Sequence, residues 1–393
     1  MNILSLTYEY PPIGGGGATV ASALNRQLAA MGHRVRVVTS TMKGLAAMEV
    51  LDGVEIHRAA CWRRHRHYTT AIELATTLVP AYRLAAKVIQ AERPDVIHVH
   101  FAFPSGIIAY WLARRFKIPY VLTAHGSDIP GYNPDRFTLS HKLAAPVWRR
   151  VVRGAAIVTS PSEFLARMLR KHLDIPVYIV RNGYNAAPRM GRARRKLVLV
   201  VARLFPRKGV QHFLQAISGL SPEWEYLVVG DGPYMESLRE QATALASPVK
   251  FAGYVDQKDL IGLYEEASIF VFPSIQENFP MVLLEAMDAG CAVITTDAEG
   301  CAEVVGDSGI VIEKSNSLEI RRSMVQLMGN ELLRNQLSAQ AMTRVECFRW
   351  SRIAMHFTEI FQATIDKRSP RLHNLGGVQF AENEWPVLAE DVA

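Results

Sequence analysis

Ser268-Ile269-Phe270-Val271-Phe272-Pro273 is followed, three residues on, by Glu277-Asn278-Phe279-Pro280-Met281-Val282-Leu283-Leu284-Glu285-Ala286-Met287. The first run is short, apolar and rich in strand formers, which predicts a buried strand. The second begins as a polar loop and turns into a helix, with Pro280 where a missing N–H costs nothing. One carboxylate, Glu277, stands in the loop and a second, Glu285, inside the helix. A helix N-terminus offers N–H donors to an anion, and carboxylates accept hydrogen bonds from hydroxyls. A nucleoside diphosphate sugar needs both. The same spacing also suits two solvated acids at a helix start, and spacing alone does not choose between these readings.

Outward from this stretch, strand-like and amphipathic runs alternate along the chain. Strands are predicted at Asn2–Leu6, Val35–Thr39, Val54–Arg58, Asp95–His100, Tyr120–Ala124, Ala156–Ser160 and Val177–Val180. They resume at Lys196–Ala202, Glu225–Val229, Val249–Ala252, Ile269–Phe272, Ala292–Thr296 and Ile310–Glu313. Helices fall between most of them, such as Ala18–Met31, closing at Gly32, and Ala71–Glu92. This rhythm predicts an α/β chain with parallel sheets covered on both faces. Two such units in series make two Rossmann-like domains facing across a cleft, lined by loops at the carboxyl ends of the strands. The division expected is 1–180 for the first domain, 181–195 for a linker rich in Gly, Pro and Arg, and 196–347 for the second. Residues 317–365 read as consecutive helices, the last at 348–365, and 366–393 as a loosely ordered tail.

Length and composition agree with this plan. At 393 residues, 49% hydrophobic and 21% charged, the chain suits two cores in a soluble protein. Its four cysteines, Cys61, Cys291, Cys301 and Cys347, lack C-x-x-C spacing, so neither a zinc site nor a disulfide framework is expected. No basic stretch precedes an apolar run at the start, and the longest apolar candidate, Phe101–Ala113, is too short to span a bilayer. A cytoplasmic protein is expected, peripheral on a membrane at most. Residues 1–195 hold 27 Lys and Arg against 11 Asp and Glu, a net of +16; residues 196–393 hold 17 against 26, a net of −9. That asymmetry points the first half toward an anionic partner, such as a membrane leaflet or a phosphate-linked acceptor. No aromatic-interleaved basic motif of a nucleic-acid reader is present.

The chain resembles the retaining glycosyltransferases of family 4, whose fold is the two-domain GT-B type. Their E-x7-E signature matches Glu277 to Glu285, and others recur in order: Glu9-Tyr10-Pro11-Pro12 with Gly14 to Gly17, His98-Val99-His100, His125-Gly126-Ser127-Asp128 and Asn182-Gly183. Arg203-Leu204-Phe205-Pro206-Arg207-Lys208-Gly209, Gly230-Asp231-Gly232-Pro233 and Gly300-Cys301-Ala302-Glu303 complete the set, which spans residues 1 to about 365. Each alone is weak; the ordered set is specific.

The resemblance implies transfer of a hexosyl unit from a nucleotide-diphosphate sugar to a hydroxyl acceptor, a glycan or a lipid-linked one, with no cofactor. Arg203 and Lys208 would hold the diphosphate and neutralise the departing nucleotide. No D-x-D occurs, so no metal chelated by paired aspartates is expected. Glu277 would accept from hydroxyls of the transferred sugar and Glu285 from the ribose. Backbone N–H groups around Asn278, Phe279, Met281 and Val282 would meet the diphosphate or sugar; the family often has Gly where Pro280 stands, and Pro supplies no N–H. Gly15 and Gly16 border the donor and acceptor, and Gly230 and Tyr254 the base and ribose. His125 lies near the donor sugar, and Glu9 and Asp128 on the acceptor side.

Several positions read more than one way. Gly14 to Gly17 is not the dinucleotide fingerprint, because Thr19 and Val20 stand where the third glycine belongs. A lone histidine such as His125 also suits a structural hydrogen bond, and His98 and His100, alternate on one strand, are read as structural. Arg63, Arg64, His65, Arg66 and His67, beside Trp62 and Tyr68, read as a solvated loop or as a contact with anionic lipid. A GT-B epimerase or phosphorylase, a non-catalytic nucleotide-sugar module and a nucleic-acid binder are the competing functions.

Overall fold

The computed structural model describes residues 1–65, 69–132 and 138–370. Its described residues form two compact units: Met1–Gly183 together with residues 350–370, and Tyr184–Arg349.

The first unit is built on eight strands: β1 Asn2–Leu6, β2 Arg34–Ser40, β3 Met48–Leu51, β4 Val54–Ala59, β5 Val96–His100, β6 Tyr120–Thr123, β7 Ile157–Ser160 and β8 Tyr178–Ile179. Their order across the sheet is β3-β4-β2-β1-β5-β6-β7-β8. Every neighbouring pair is parallel except β3 and β4. Side chains alternate across a strand, and the burial follows. Ile3, Val37 and Val121 enter one apolar cluster, while Leu4, Val38 and Leu122 enter another. Helix Trp350–Ile365 completes the first cluster with Trp350, Ile353, Phe357 and Phe361. The C-terminal helix is therefore part of this unit's core.

The hairpin strand β3 escapes the sequence reading. Three of its four residues are exposed, so it carries no periodic apolar signal. Asp52 and Gly53, at φ of 50° and 79°, form its two-residue turn to β4, the left-handed pair that such hairpins favour. The Asp-Gly dipeptide was the available cue.

The second unit has six strands, all parallel: β9 Arg195–Val201, β10 Glu225–Val229, β11 Val249–Gly253, β12 Ala267–Phe272, β13 Ala292–Thr296 and β14 Ile310–Ile312. Their order is β11-β10-β9-β12-β13-β14. Of the linker expected at 181–195, the part from Tyr184 onward belongs to this unit. Glu265 accepts from the amides of Met190 and Arg192 at 2.7 and 3.0 Å, and Arg194 Nη2 donates to the Ala289 carbonyl at 2.7 Å.

Strand order reverses direction between β1 and β5 in the first sheet and between β9 and β12 in the second. Loops leaving such neighbours at their carboxyl ends diverge and open a crevice, where ligands of α/β proteins bind. The loosely ordered tail expected from residue 366 falls largely at 371–393, outside the described residues.

Candidate active site

At the reversal of the second sheet, β9 leads through Arg203 to a 3-10 turn, Pro206–Lys208, and then helix Val210–Ile217. Gly209 joins them at φ 69°, and a Cβ there would stand 1.8 Å from the carbonyl oxygen of Pro273, just beyond β12. Only glycine allows so close an approach. The two loops are then tied together: Ile275 N donates to Arg207 O at 2.8 Å.

This contact delivers Lys208 to Glu277. The ammonium bonds Glu277 Oε1, and Ser274 Oγ donates to that oxygen at 3.1 Å. The Lys208 and Glu277 side chains are 12% and 14% exposed. Glu277 Oε2 has no partner among the described residues. Arg203 is exposed. Helix Met281–Asp288 begins four residues past Glu277, with Pro280 at its N-cap; Leu283 N donates to the Pro280 carbonyl at 3.2 Å, while the amides of Met281 and Val282 have no intrahelical acceptor. Fixed positive charge, unspent amides and a held carboxylate thus share one sheet end, which is the chemistry a phosphorylated sugar requires.

Glu285 lies one turn into that helix, where Tyr264 OH donates to its Oε2 at 2.8 Å. Burial pushes its carboxyl above the ordinary range, and the Tyr264 bond partly offsets this. Glu285 and Tyr264 line a small open pocket with Tyr184, Gln257 and Asp288. Phe279 turns its ring into the core, 5.8 Å from Phe348. Pro280 is buried, Asn278 and Val282 half-buried, and Met281 exposed. Gly300 packs beneath this loop, where a Cβ would stand 2.2 Å from Asn278 O. Gly230 N donates to Gly253 O at 2.8 Å, and neighbouring Tyr254 is 80% exposed.

In the first unit, Gly14 to Gly17 lead into helix Gly16–Ala30, with Gly15 at its N-cap. No atom lies within 4 Å of a Cβ placed on Gly15 or Gly16, so their backbone is open to a ligand. Glu9 is buried, accepting from Gly15 N at 3.3 Å and facing Arg63 Nη2 at 3.5 Å. Arg63 was expected on a solvated or lipid-facing loop; it is instead a buried partner of Glu9, its side chain 2% exposed. A guanidinium carries its charge to that depth, and the Glu9 carboxylate offsets the cost of burying it. Arg64 does lie at the surface, 4.5 Å over the exposed Trp62 ring, whereas Arg66, His67 and Tyr68 lie outside the described residues.

His125 follows β6, its ring hydrogen-bonded to His100 at 3.0 Å and 4.6 Å from the ring of Phe101. Burial brings its pKa down to about 4, so it is neutral at physiological pH. Asp128 holds the loop: it accepts from the amides of Ala102 at 2.7 Å and of His125 and Gly126 at 3.1 Å each. Burial raises its pKa while these amides lower it.

With this geometry in view, comparison with known proteins is informative. The family model "Glycosyltransferase Family 4" matches residues 14–187, and "Glycosyl transferases group 1" matches residues 190–344. The chain belongs to the family 4, group 1, glycosyltransferases. It is similar to the N-acetyl-alpha-D-glucosaminyl L-malate synthase of Bacillus anthracis, 27% identical over 374 residues that cover 90% of this chain and 94% of that one. Among solved structures, sucrose-phosphate synthase from Thermosynechococcus elongatus superposes with a TM-score of 0.76 at 22% identity, covering 93% of this chain and 99% of that one. Anabaena HepE, solved in complex with UDP, gives 0.72 at 18%, covering 92% and 100%. The glycosyltransferase is thus a transferase enzyme of the GT-B fold.

Three contributors were not read from the sequence: Ser274, Tyr264 and the Arg63 partner of Glu9. Ser274 stood in view, directly after the strand, whereas Tyr264 and Arg63 are distant from their partners in sequence and carried no local signal.

Proposed function

We propose that this glycosyltransferase moves a hexosyl unit from a nucleotide-diphosphate sugar to a hydroxyl acceptor with retention of configuration and without a metal ion. The observation that carries the reading is the Lys208–Glu277–Ser274 cluster at the β9/β12 reversal. Donor recognition falls to the second unit. Lys208 and Arg203 meet the diphosphate, where negative charge grows as the nucleotide departs. Glu277 Oε2 accepts from hydroxyls of the sugar, and Glu285 from the ribose. Asn278, Phe279, Met281 and Val282 contribute backbone, and Gly230 and Tyr254 border the base; in the first unit, Gly15 and Gly16 offer open backbone to a ligand. Glu9 and Asp128 stand on the acceptor side. The sugar passes through an oxocarbenium-like state, and the leaving phosphate helps to deprotonate the acceptor, so no protein nucleophile is required.

The decisive assay uses purified Lys208→Ala and Glu277→Ala. Transfer is nearly abolished in both while the circular dichroism spectrum is retained; wild-type rates would refute the site. Release of nucleotide only when acceptor is present separates transfer from epimerisation. Product anomers read by NMR test retention, and full activity in a chelator tests metal independence. UDP-, GDP- and ADP-sugars compared by thermal shift identify the donor, because a bound ligand raises the melting temperature.

The setting we propose is cell-surface polysaccharide or glycolipid assembly, in the cytoplasm against an anionic leaflet. Among the described residues no helix is long and apolar enough to cross a membrane. Helix Ala71–Ala91 exposes Ile72 and Val79, seven residues apart and so on one face. Exposed Trp62 donates its amide to Thr76 on the same helix at 3.2 Å, and Tyr82 packs edge-on to exposed Trp111 at 6.1 Å. Aromatic and aliphatic groups among arginines suit a lipid interface. Co-flotation with vesicles containing phosphatidylglycerol, but not with neutral ones, is the expected result.

A further inference from the structure

Three histidines of the first unit form a row. His98 and His100, on β5, are fully buried with ring centroids 4.3 Å apart. His100 Nδ1 meets His125 Nε2 at 3.0 Å with ring planes 23° apart, the geometry of an in-plane hydrogen bond. His98 Nε2 meets Thr123 Oγ1 at 2.8 Å, Thr123 Oγ1 meets Thr159 Oγ1 at 2.7 Å, and Thr159 Oγ1 reaches Leu122 O at 3.4 Å. The remaining nitrogens, His98 Nδ1 and His100 Nε2, are buried and have no partner among the described residues. His125 is the one residue of the three that is half-buried.

Counting protons settles the direction of these bonds. Burial holds all three rings neutral, with His125 brought down to about 4, His98 to about 3 and His100 well below the ordinary value. Each ring then carries one N–H. A His100 proton on Nε2 would be a buried donor with no acceptor, and it would leave Nδ1 a bare acceptor. A proton on Nδ1 is donated to His125, and only a lone pair goes unused, which is the cheaper defect. His125 Nε2 therefore accepts, and its own proton has one place left, Nδ1. The same reasoning runs His98 Nε2–H to Thr123, Thr123 to Thr159, and Thr159 to the Leu122 carbonyl, with every proton used.

We propose that His100 is a positioning residue that locks His125 in the Nδ1–H tautomer, so that His125 meets its ligand as a neutral hydrogen-bond donor and not as a base. The partner of one ring nitrogen sets the role of the other. An acceptor is what this N–H recognises: a hydroxyl or ring oxygen of the transferred sugar, an identification that rests on the proposed function. His125 Nε2 is already occupied, so the ring cannot take the acceptor's proton there.

The test is a long-range proton–nitrogen NMR spectrum of the full chain labelled with 15N-histidine, at neutral pH and without substrate. The expected result is a protonated Nδ1 and a bare Nε2 on His125, with Nδ1 protonated on His100. A proton on His125 Nε2, or a charged His125 ring, overturns the proposal. His100→Asn keeps an N–H near the Nδ1 position and retains the tautomer, whereas His100→Phe fills the space without a donor and releases it. In the transfer assay the Phe variant loses kcat by roughly tenfold or more with KM for the donor little changed, while the Asn variant stays close to wild type. Equal behaviour of the two variants would also overturn it. The spectrum needs no substrate, so a chain with the expected tautomer but no transfer would refute the proposed function and leave this inference standing.

Discussion

The two reversal points are built from similar residues that are used differently. In the first unit the polar groups at the strand ends are spent on one another. Glu9 faces Arg63, Asp128 holds three amides, and His125 is bonded to His100. In the second, Glu277 is held through one oxygen by Lys208 and Ser274 while its other oxygen stays open, and Arg203 is exposed. The first arrangement is a scaffold whose loops are fixed before any ligand arrives. The second keeps bonds it can exchange for those of a charged ligand. Damage to the first should therefore register as lost stability, or as lost positioning of His125, with nucleotide affinity kept, and damage to the second as lost donor binding and transfer.

The largest effect tests that division directly. Lys208→Ala and Glu277→Ala should each lower kcat by about 100-fold or more, with the far-ultraviolet spectrum unchanged. Asp128→Ala comes next. It leaves three backbone donors without their acceptor, a cost of about 3 kcal/mol or more, read as a lowered melting temperature. Nucleotide affinity in that variant should stay within a few-fold of wild type. If instead it fell as far as in Lys208→Ala, the contrast between the units would fail.

A third expectation concerns pH. His98 and His125 titrate near 6.5 when unfolded but near about 3 and 4 when folded. The unfolded chain therefore takes up protons first, so stability is complete above pH 6.5 and declines as pH falls toward 4. Each such ring contributes a slope of up to about 1.4 kcal/mol per pH unit. Thermal melts between pH 7.5 and 5 should show this loss starting well above the carboxylate range. The smallest effect is expected at Gly16, where a methyl meets nothing. Gly16→Ala should raise stability by up to about 1 kcal/mol through helix propensity, and it should weaken nucleotide binding if ligand approaches that backbone.

Much of this was legible because parallel strands buried on both faces announce themselves as unbroken apolar runs. β1, β10 and β13 fall where those runs predict. Strand β3 did not, because an exposed edge strand needs no apolar pattern. At the site, Lys208 and Glu277 were legible through local context, a cation ahead of a helix and an acid after a strand. What joins them was not: 69 positions separate the pair, and only the backbone contact at Gly209 brings them together. The Arg63 assignment failed for a related reason. A run of basic residues looks solvated until the fold supplies one of them with a buried acid.

The proposed function stands on Lys208 gripping a diphosphate at the β9/β12 reversal. Calorimetric titration of the wild type and of Lys208→Ala with UDP, GDP and ADP tests it most directly. At least one nucleotide should bind the wild type and lose affinity by about tenfold or more in the variant, consistent with removal of a charge-assisted contact. Equal affinity in the two proteins for every nucleotide that binds would contradict it.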